Sequence, residues 1–156
     1  MAEAFSRVAT SEAKEFIAFH IGAQTFCIDI MAVREIRGWT PATPLPHAPN
    51  FVRGVINLRG AVLPVVDLAT RLGLTQSEPT ARHAVIVVQS AGQIVGLLVD
   101  AVSNILTLTP DAIQPTPEVA SEIARTFVKG VVAAGDEMIS VLTIQNLLPE
   151  PVLDAA

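Results

Sequence analysis

Cysteine, aromatic residues and charge are all scarce in this chain, and each shortage removes a class of protein. A single cysteine, Cys27, in 156 residues leaves no internal disulfide framework and fits a reducing cytosol. Aromatics make up only 4% against an apolar total of 51%, so the core must be aliphatic, built from Val, Ile, Leu and Ala. Such a composition folds rather than remaining disordered. The net charge is −5 with no basic cluster, which argues against nucleic acid as a partner. No apolar run approaches the roughly 18 residues of a membrane span, so direct membrane insertion is not expected. The opening MAEAFSRVATSEAKE carries acids and lacks an apolar h-region, so no secretory signal is expected there.

What is present is strand signal, and it occurs twice. EFIAFHI (15–21) alternates and AVIVVQ (84–89) is a β-branched run. Each is followed by a turn and a second apolar run, TFCIDI (25–30) and IVGLLV (94–99). QTFCIDIMAVREI (24–36) aligns on QIVGLLVDAVSNI (93–105) at an offset of 69. FVRGVINLRGAVLPVVDLATRL (51–72) aligns without gaps on FVKGVVAAGDEMISVLTIQNLL (127–148) at an offset of 76, with Val65 falling on Val141. The unit is therefore strand, turn, strand, Pro-rich connector, hairpin and short helical turn, present in two copies. About five strands per copy is the size of a small barrel. Half-domains this small are marginal alone, so the two should share a core and leave a partner-binding groove between them.

Pro41, Pro44, Pro46 and Pro49 exclude a central strand from the first connector. PEVASEIARTF (117–127) carries a short-helix signal with Pro117 near its first turn. In DLATRLGL (67–74), Asp67 is a candidate N-cap and Gly73 a helix stop. Residues 15–149 are expected to form one domain, with 1–14 and 150–156 as flexible ends.

Catalytic and metal-binding patterns do not converge. His20, His47 and His83 lie far apart and lack ligand spacing with Cys27, so no metal or cofactor is expected. Cys27 sits in an apolar strand and reads as a small core residue. Asp29, Asp67 and Asp100 lie near strand ends, where capping and turn roles are common. His20 alternates with apolar neighbours and reads as a surface or barrel-end residue. Trp39 either plugs a barrel end or anchors a partner. GVVAAGDE (130–137) lacks the Lys-Ser/Thr of a phosphate loop. An enzyme using Asp29 or His20 would require those side chains in one pocket.

The repeat also acts as an internal control. The first hairpin turns through Arg59–Gly60, the second through Gly135–Asp136. Both contain the glycine a tight turn favours, but only one carries a cation. Likewise VREIRG (33–38) matches VSNILT (102–107), retaining Val and Ile while adding Arg34, Glu35 and Arg37. That segment reads either as a solvated turn or as a polar-rimmed interface. If the latter, the unmatched charges of the first copy mark where the groove grips a partner, with Arg59 as an anchor.

IDIMAVREIRG, FVRGVINLRGAVLPVVDL, VGLLVDAVSNIL and the closing FVKGV hairpin closely resemble the bacterial chemotaxis coupling family, CheW, from about residue 15 to 149. The resemblance implies an all-β fold of two intertwined five-stranded SH3-like β-barrels, without enzymatic activity or cofactor. It implies a cytoplasmic adaptor recruited to membrane-associated receptor arrays. Its partners would be the histidine kinase CheA, through the kinase's CheW-like regulatory domain, and the cytoplasmic tip of chemoreceptors, whose helix lies in the inter-barrel groove. Carried over residue by residue, the receptor surface is Val33, Glu35, Ile36, Gly54, Arg59 and Ile105. A kinase or ring contact is implied around Gln114, Glu118 and Val119, although some members have a basic residue and an aromatic at positions 114 and 119. A CheV-type member would need an added receiver domain, and the kinase itself would need phosphotransfer and ATP-binding domains. Neither is found here, so a free-standing adaptor is implied. An adaptor of the same fold in another receptor–kinase pathway, of motility or development, is not distinguished by sequence.

Overall fold

The computed structural model describes residues 13–75, 78–116 and 122–149. Ten strands run in chain order: β1 (Lys14–Ile21), β2 (Gln24–Asp29), β3 (Val33–Gly38), β4 (Val52–Leu58), β5 (Ala61–Asp67), β6 (Ala84–Ser90), β7 (Gln93–Val99), β8 (Ala101–Leu108), β9 (Val128–Ala134) and β10 (Glu137–Leu142). Among the described residues there are three short α-helices, α1 (Leu68–Arg71), α2 (Glu122–Phe127) and α3 (Ile144–Leu147). The helix expected in the second connector starts at Glu122, and Pro117 lies outside the described residues.

The strands form two five-stranded sheets, ordered β8-β1-β2-β10-β9 and β3-β6-β7-β5-β4. Under the sequence repeat, β1 to β5 match β6 to β10, and the two orders become identical. Each sheet nevertheless mixes the copies. The first holds β1 and β2 of copy one with β8, β9 and β10 of copy two; the second holds the remainder. One barrel per copy, the simplest reading of the repeat, is thus replaced by an exchange of strands. The copies join twice within each sheet: through an antiparallel pair, β1 with β8 and β6 with β3, and through a parallel pair, β2 with β10 and β7 with β5. Here too the repeat is obeyed: Cys27 pairs with Val141, and its counterpart Gly96 pairs with Val65.

Strand alternation sends side chains to two destinations. Phe16, Ala18, Cys27, Val132, Ile139 and Val141 fill the inside of the first sheet. Val65, Val85, Val87 and Leu98 fill the second, where the partly buried Trp39 packs against them. That contact favours the barrel-plug reading of Trp39 over the partner-anchor reading. The opposite faces, including Ile17, Phe19, Phe26, Ile28, Ile86, Val88, Leu97 and Val99, join with the three short helices' neighbourhood in one larger layer between the sheets. Most of the buried apolar surface is therefore common to both sheets, and burial of this kind stabilises by roughly 25 cal/mol per Å².

Local capping follows the sequence. Asp67 is the N-cap of α1, accepting from the Thr70 amide, and it also accepts from Arg53 Nε at 3.0 Å. Its amide donates to the Phe51 carbonyl at 2.7 Å, and the matching Thr143 amide donates to Phe127 at 2.8 Å. Gly73 follows the helix with φ +76°, as a stop should.

The connectors dock back in equivalent ways. Thr43 and Val55 exchange two backbone hydrogen bonds of 2.9 Å, and Gln114 and Val131 exchange two of 2.8 Å. Val131 is the repeat counterpart of Val55. Both docking points lie beside a glycine. A Cβ on Gly54, whose φ is +148°, would stand 2.2 Å from the Thr43 carbonyl oxygen; one on Gly130 would stand 2.7 Å from that of Gln114. We expect Gly54→Ala to lower the urea midpoint by an amount worth more than about 2 kcal/mol, whereas Gly38→Ala, with open space around it, should be close to neutral. Equal midpoints for the two variants would contradict the close docking of the connector.

Cys27 is fully buried, and burial pushes its thiol up to about 12 from 9.0. A raised folded-state pKa means that stability is intact below the unfolded value and declines as pH rises from about 9 toward 12. Urea midpoints taken at pH 7 and pH 10.5 should therefore fall further for the native chain than for Cys27→Ala. Identical falls would show that the thiol ionises freely in the folded protein.

Candidate functional site

The segment VREIRG, open between a turn and an interface in the sequence, is strand β3, antiparallel to β6 at one edge of the second sheet. The solvated-turn reading is corrected. A register shift between Val33 and Glu35 disguises the alternation, because it puts two residues that are three apart on one face. Val33 lies opposite Val88, and Ile36 opposite Ile86; both partners belong to the shared layer. Strand β8 at the edge of the other sheet does the same, with Val102 opposite Phe19 and Ile105 opposite Ile17. Val33 and Val102 are half-buried against the layer, whereas Ile36 and Ile105 remain 44% and 54% exposed. The shared layer thus reaches solvent through a matched pair of isoleucines, one from each sheet.

Glu35 and Arg37 leave β3 on the reverse side, opposite Val87 and Val85 of the second sheet's interior. Glu35 accepts hydrogen bonds from Arg59 through both carboxylate oxygens and from Arg37 Nη1 at 3.3 Å. Arg59 sits at the tip of the β4–β5 hairpin with φ +53°, followed by Gly60 at +88°, the positive pair of a type I′ turn. Its side chain is 69% exposed. Strands β3 and β4 are the two edges of the second sheet, so this ion pair links one edge to the hairpin tip beside the other through side chains. The hydrogen bond from Arg59, reinforced by Arg37, holds the Glu35 carboxyl below its usual range.

The six residues expected on the receptor surface therefore occupy three surroundings. Val33, Ile36 and Ile105 extend the apolar layer; Glu35 and Arg59 bind one another on the other side of β3. Gly54 faces neither, since the backbone it admits is the chain's own connector at Thr43. Of the second group, Gln114 docks its backbone on Val131, and Glu118 and Val119 lie outside the described residues.

The residues considered for catalysis are spread apart and engaged locally. Asp29 caps the 3-10 turn Ile30–Ala32 through the Met31 amide, and His20 meets Thr25 Oγ1 at 3.1 Å. Asp29 lies opposite Phe16, four residues along β1 from His20, a separation of roughly 13 Å. Asp100 accepts from the Gly22 amide and faces His83 Nε2 at 3.4 Å. Among the described residues, no three His, Cys, Asp or Glu side chains group as a metal site would require, and no helix is long and apolar enough to cross a membrane.

One residue was missed by sequence reasoning. The Arg71 guanidinium stacks over the Phe51 ring at 4.1 Å and the Phe127 ring at 4.9 Å, while donating to the carbonyls of Leu147 and Asn146. Phe51 and Phe127 are repeat counterparts, as are Arg71 and Leu147. The signal was available: like Arg59, Arg71 is a cation in one copy with no counterpart in the other.

Comparison with known proteins agrees with this geometry. A chemotaxis protein CheW from Rhizobium meliloti (strain 1021) is 56% identical over 94% of this chain and 95% of its own length. A probable chemotaxis protein CheW from Rhizobium etli is also 56% identical, over 92% of each. The crystal structure of the scaffolding protein TtCheW from Thermoanaerobacter tengcongensis superposes with a TM-score of 0.77 at 32% identity, covering 83% of this chain and 88% of that one. The family model described as the CheW-like domain matches residues 15–152, and this chain, with its two five-stranded sheets and duplicated strand order, belongs to that family.

Proposed function

We propose that this protein is a chemotaxis adaptor that couples the cytoplasmic tips of chemoreceptors to the histidine kinase CheA in a ternary assembly. The observation that carries the reading is the solvent-exposed end of the shared apolar layer at Ile36 and Ile105, in a chain of this family. A matched apolar pair held on two rigid sheet edges suits the apolar stripe of a helix laid between them. Val33 and Ile36 from β3 and Ile105 from β8 take that stripe. Glu35 and Arg59 form the charged margin, where exposed ion pairs contribute specificity more than stability.

Gln114, Glu118 and Val119 of the second connector take the kinase, through that enzyme's own CheW-like regulatory domain, or a neighbouring adaptor. The protein acts by binding and without a cofactor. Receptor state reaches the kinase because the adaptor holds the kinase's alternative states unequally; equal contacts would transmit nothing. It works in the cytoplasm and is recruited to receptor arrays at the membrane.

Three measurements test this. Ile36→Glu should remove receptor binding in a co-sedimentation assay with receptor-containing membranes while leaving the urea midpoint almost unchanged; retained binding by the folded variant would refute the apolar contact. Arg59→Ala should weaken receptor coupling roughly five- to thirty-fold. Because Arg59 and Glu35 bind each other, the Arg59→Ala/Glu35→Ala double variant should be no weaker than the weaker single variant; simple addition of the two losses would show that they act separately.

The pH response of the pair is readable directly. Glu35 titrates below its ordinary 4.5, so the pair is intact above that value and is lost as pH falls through the folded pKa. In an NMR titration, Arg59→Ala should return the Glu35 midpoint toward 4.5. No movement would place the cause elsewhere.

A further inference from the structure

Trp39 packs against the interior of the second sheet, and the first sheet differs at the equivalent place. The offset of 69 that aligns the copies carries Trp39 onto Leu108. Backbone pairing agrees: the Trp39 amide donates to the His83 carbonyl at 3.2 Å, and Leu108 lies opposite Lys14, the counterpart of His83. Beside Leu108 is a cavity of about 240 Å³, lined by Lys14, Phe16, Leu108, Pro110, Ile113 and Lys129. Phe16, in place of Val85, takes up part of the space that a leucine leaves where the other copy has a tryptophan. Leu108 and Ile113 remain only partly buried over the first sheet's interior. An apolar hollow of this size is small for a drug-sized ligand and suits one large side chain.

The charges differ in the same sense. Offsets of 69 and 76 carry Lys14 and Lys129 onto His83 and Arg53. In the second sheet each of these has an acid: Asp100 Oδ1 stands 3.4 Å from His83 Nε2, and Asp67 Oδ2 accepts from Arg53 Nε at 3.0 Å. The same offsets carry the two acids onto Met31 and Thr143, so neither carboxylate has a counterpart. No carboxylate lines the cavity, and among the described residues no ion pair includes Lys14 or Lys129. The second sheet thus has its tryptophan and its counter-charges built in. The first has two ammonium groups beside an open apolar hollow, which a bulky apolar group next to a negative charge would complement.

We propose that this hollow is a docking site for a second protein, which inserts a large apolar side chain flanked by glutamate or aspartate. The apolar group packs on Phe16, Leu108 and Ile113, as Trp39 packs in the other sheet. The acid meets Lys14 and Lys129, as Asp100 and Asp67 meet their equivalents. Leu108 faces the first sheet's interior, on the other side of β8 from Ile105, so the site is separate from the receptor face and does not depend on the adaptor reading.

The test is an NMR titration of the intact chain at low salt with three blocked tripeptides, Glu-Phe-Glu, Gln-Phe-Gln and Glu-Ala-Glu. Glu-Phe-Glu should move the Ile113 methyl and Lys129 amide signals and leave the Ile36 and Ile94 methyls in place. The other two, each lacking one half of the pattern, should bind at least about fivefold more weakly. Lys14→Gln/Lys129→Gln, at two exposed positions, should keep a folded spectrum and lose the preference for Glu-Phe-Glu over Gln-Phe-Gln. Leu108→Trp supplies the missing ring from within and should abolish binding; should that variant not fold, the lysine pair decides. Equal binding of the three peptides, a preference that survives loss of both lysines, shifts centred elsewhere, or binding by a folded Leu108→Trp protein would overturn the proposal. So would movement of the same signals on dilution without peptide, since the occupant would then be a second copy. Receptor binding through Ile36 is not read by this titration, so the adaptor reading is tested separately.

Discussion

The apolar layer between the two sheets is the constraint from which the other features follow. Each sheet keeps only a handful of side chains inside itself, such as Phe16, Cys27 and Val141 in one and Val65, Val85 and Leu98 in the other. Interiors that small do not outweigh the chain entropy of about seventy residues. The opposite faces, carrying Ile17, Phe19, Ile86 and Leu97, supply what is missing, but only when pressed together. Exchange of strands makes that contact obligatory, because neither sheet contains a complete copy of the repeat. Strands β3 and β8 then run out from the layer's margin, and their outer isoleucines reach solvent by the same geometry that buries their neighbours.

A duplicated backbone separates what the fold demands from what one copy adds. Demands of the fold occur twice: Gly54 and Gly130 beneath a docked connector, the Asp67 and Thr143 amides on the Phe51 and Phe127 carbonyls, Val65 and Val141 at the parallel join. Additions occur once: Arg59, Glu35, Arg37 and Arg71. Their surroundings differ. Arg59 and Glu35 meet across the edges of one sheet in water, where the energy of an ion pair is small and its direction matters more. Arg71 lies between the two copies, stacked on one phenylalanine from each. Membership of the CheW-like family is consistent with this division, since an adaptor must keep a rigid frame while varying what it displays.

Strand β3 shows the limit of pattern reading. Strands β1, β6 and β7 announce themselves by alternation or by β-branched runs, and the β1–β2 and β6–β7 turns by Gly22 and Gly92 at positive φ. In β3 the register shift between Val33 and Glu35 breaks the period of two, and three charges within six residues imitate a loop. The same shift decides the candidate site. Without it Val33 and Ile36 would face opposite ways; with it they share a face and leave Glu35 on the other. Sequence grouped these residues correctly as neighbours but not by side.

By itself the amino-acid sequence determined the regularly patterned strands, though not β3, together with the tight turns, the cap at Asp67, the buried character of Cys27 and the presence of two copies. All of these depend on local periodicity, backbone φ preferences and side-chain polarity, which a short window contains. Only the tertiary structure decided which sheet each strand joins, which face of β3 carries Ile36, and that Arg59 closes on Glu35 while Arg71 lies between Phe51 and Phe127. Two nearly equivalent copies offer each strand two chemically similar partners, so no local preference distinguishes them. The choice falls to packing of the whole shared layer, a quantity that exists only once both copies are folded against each other.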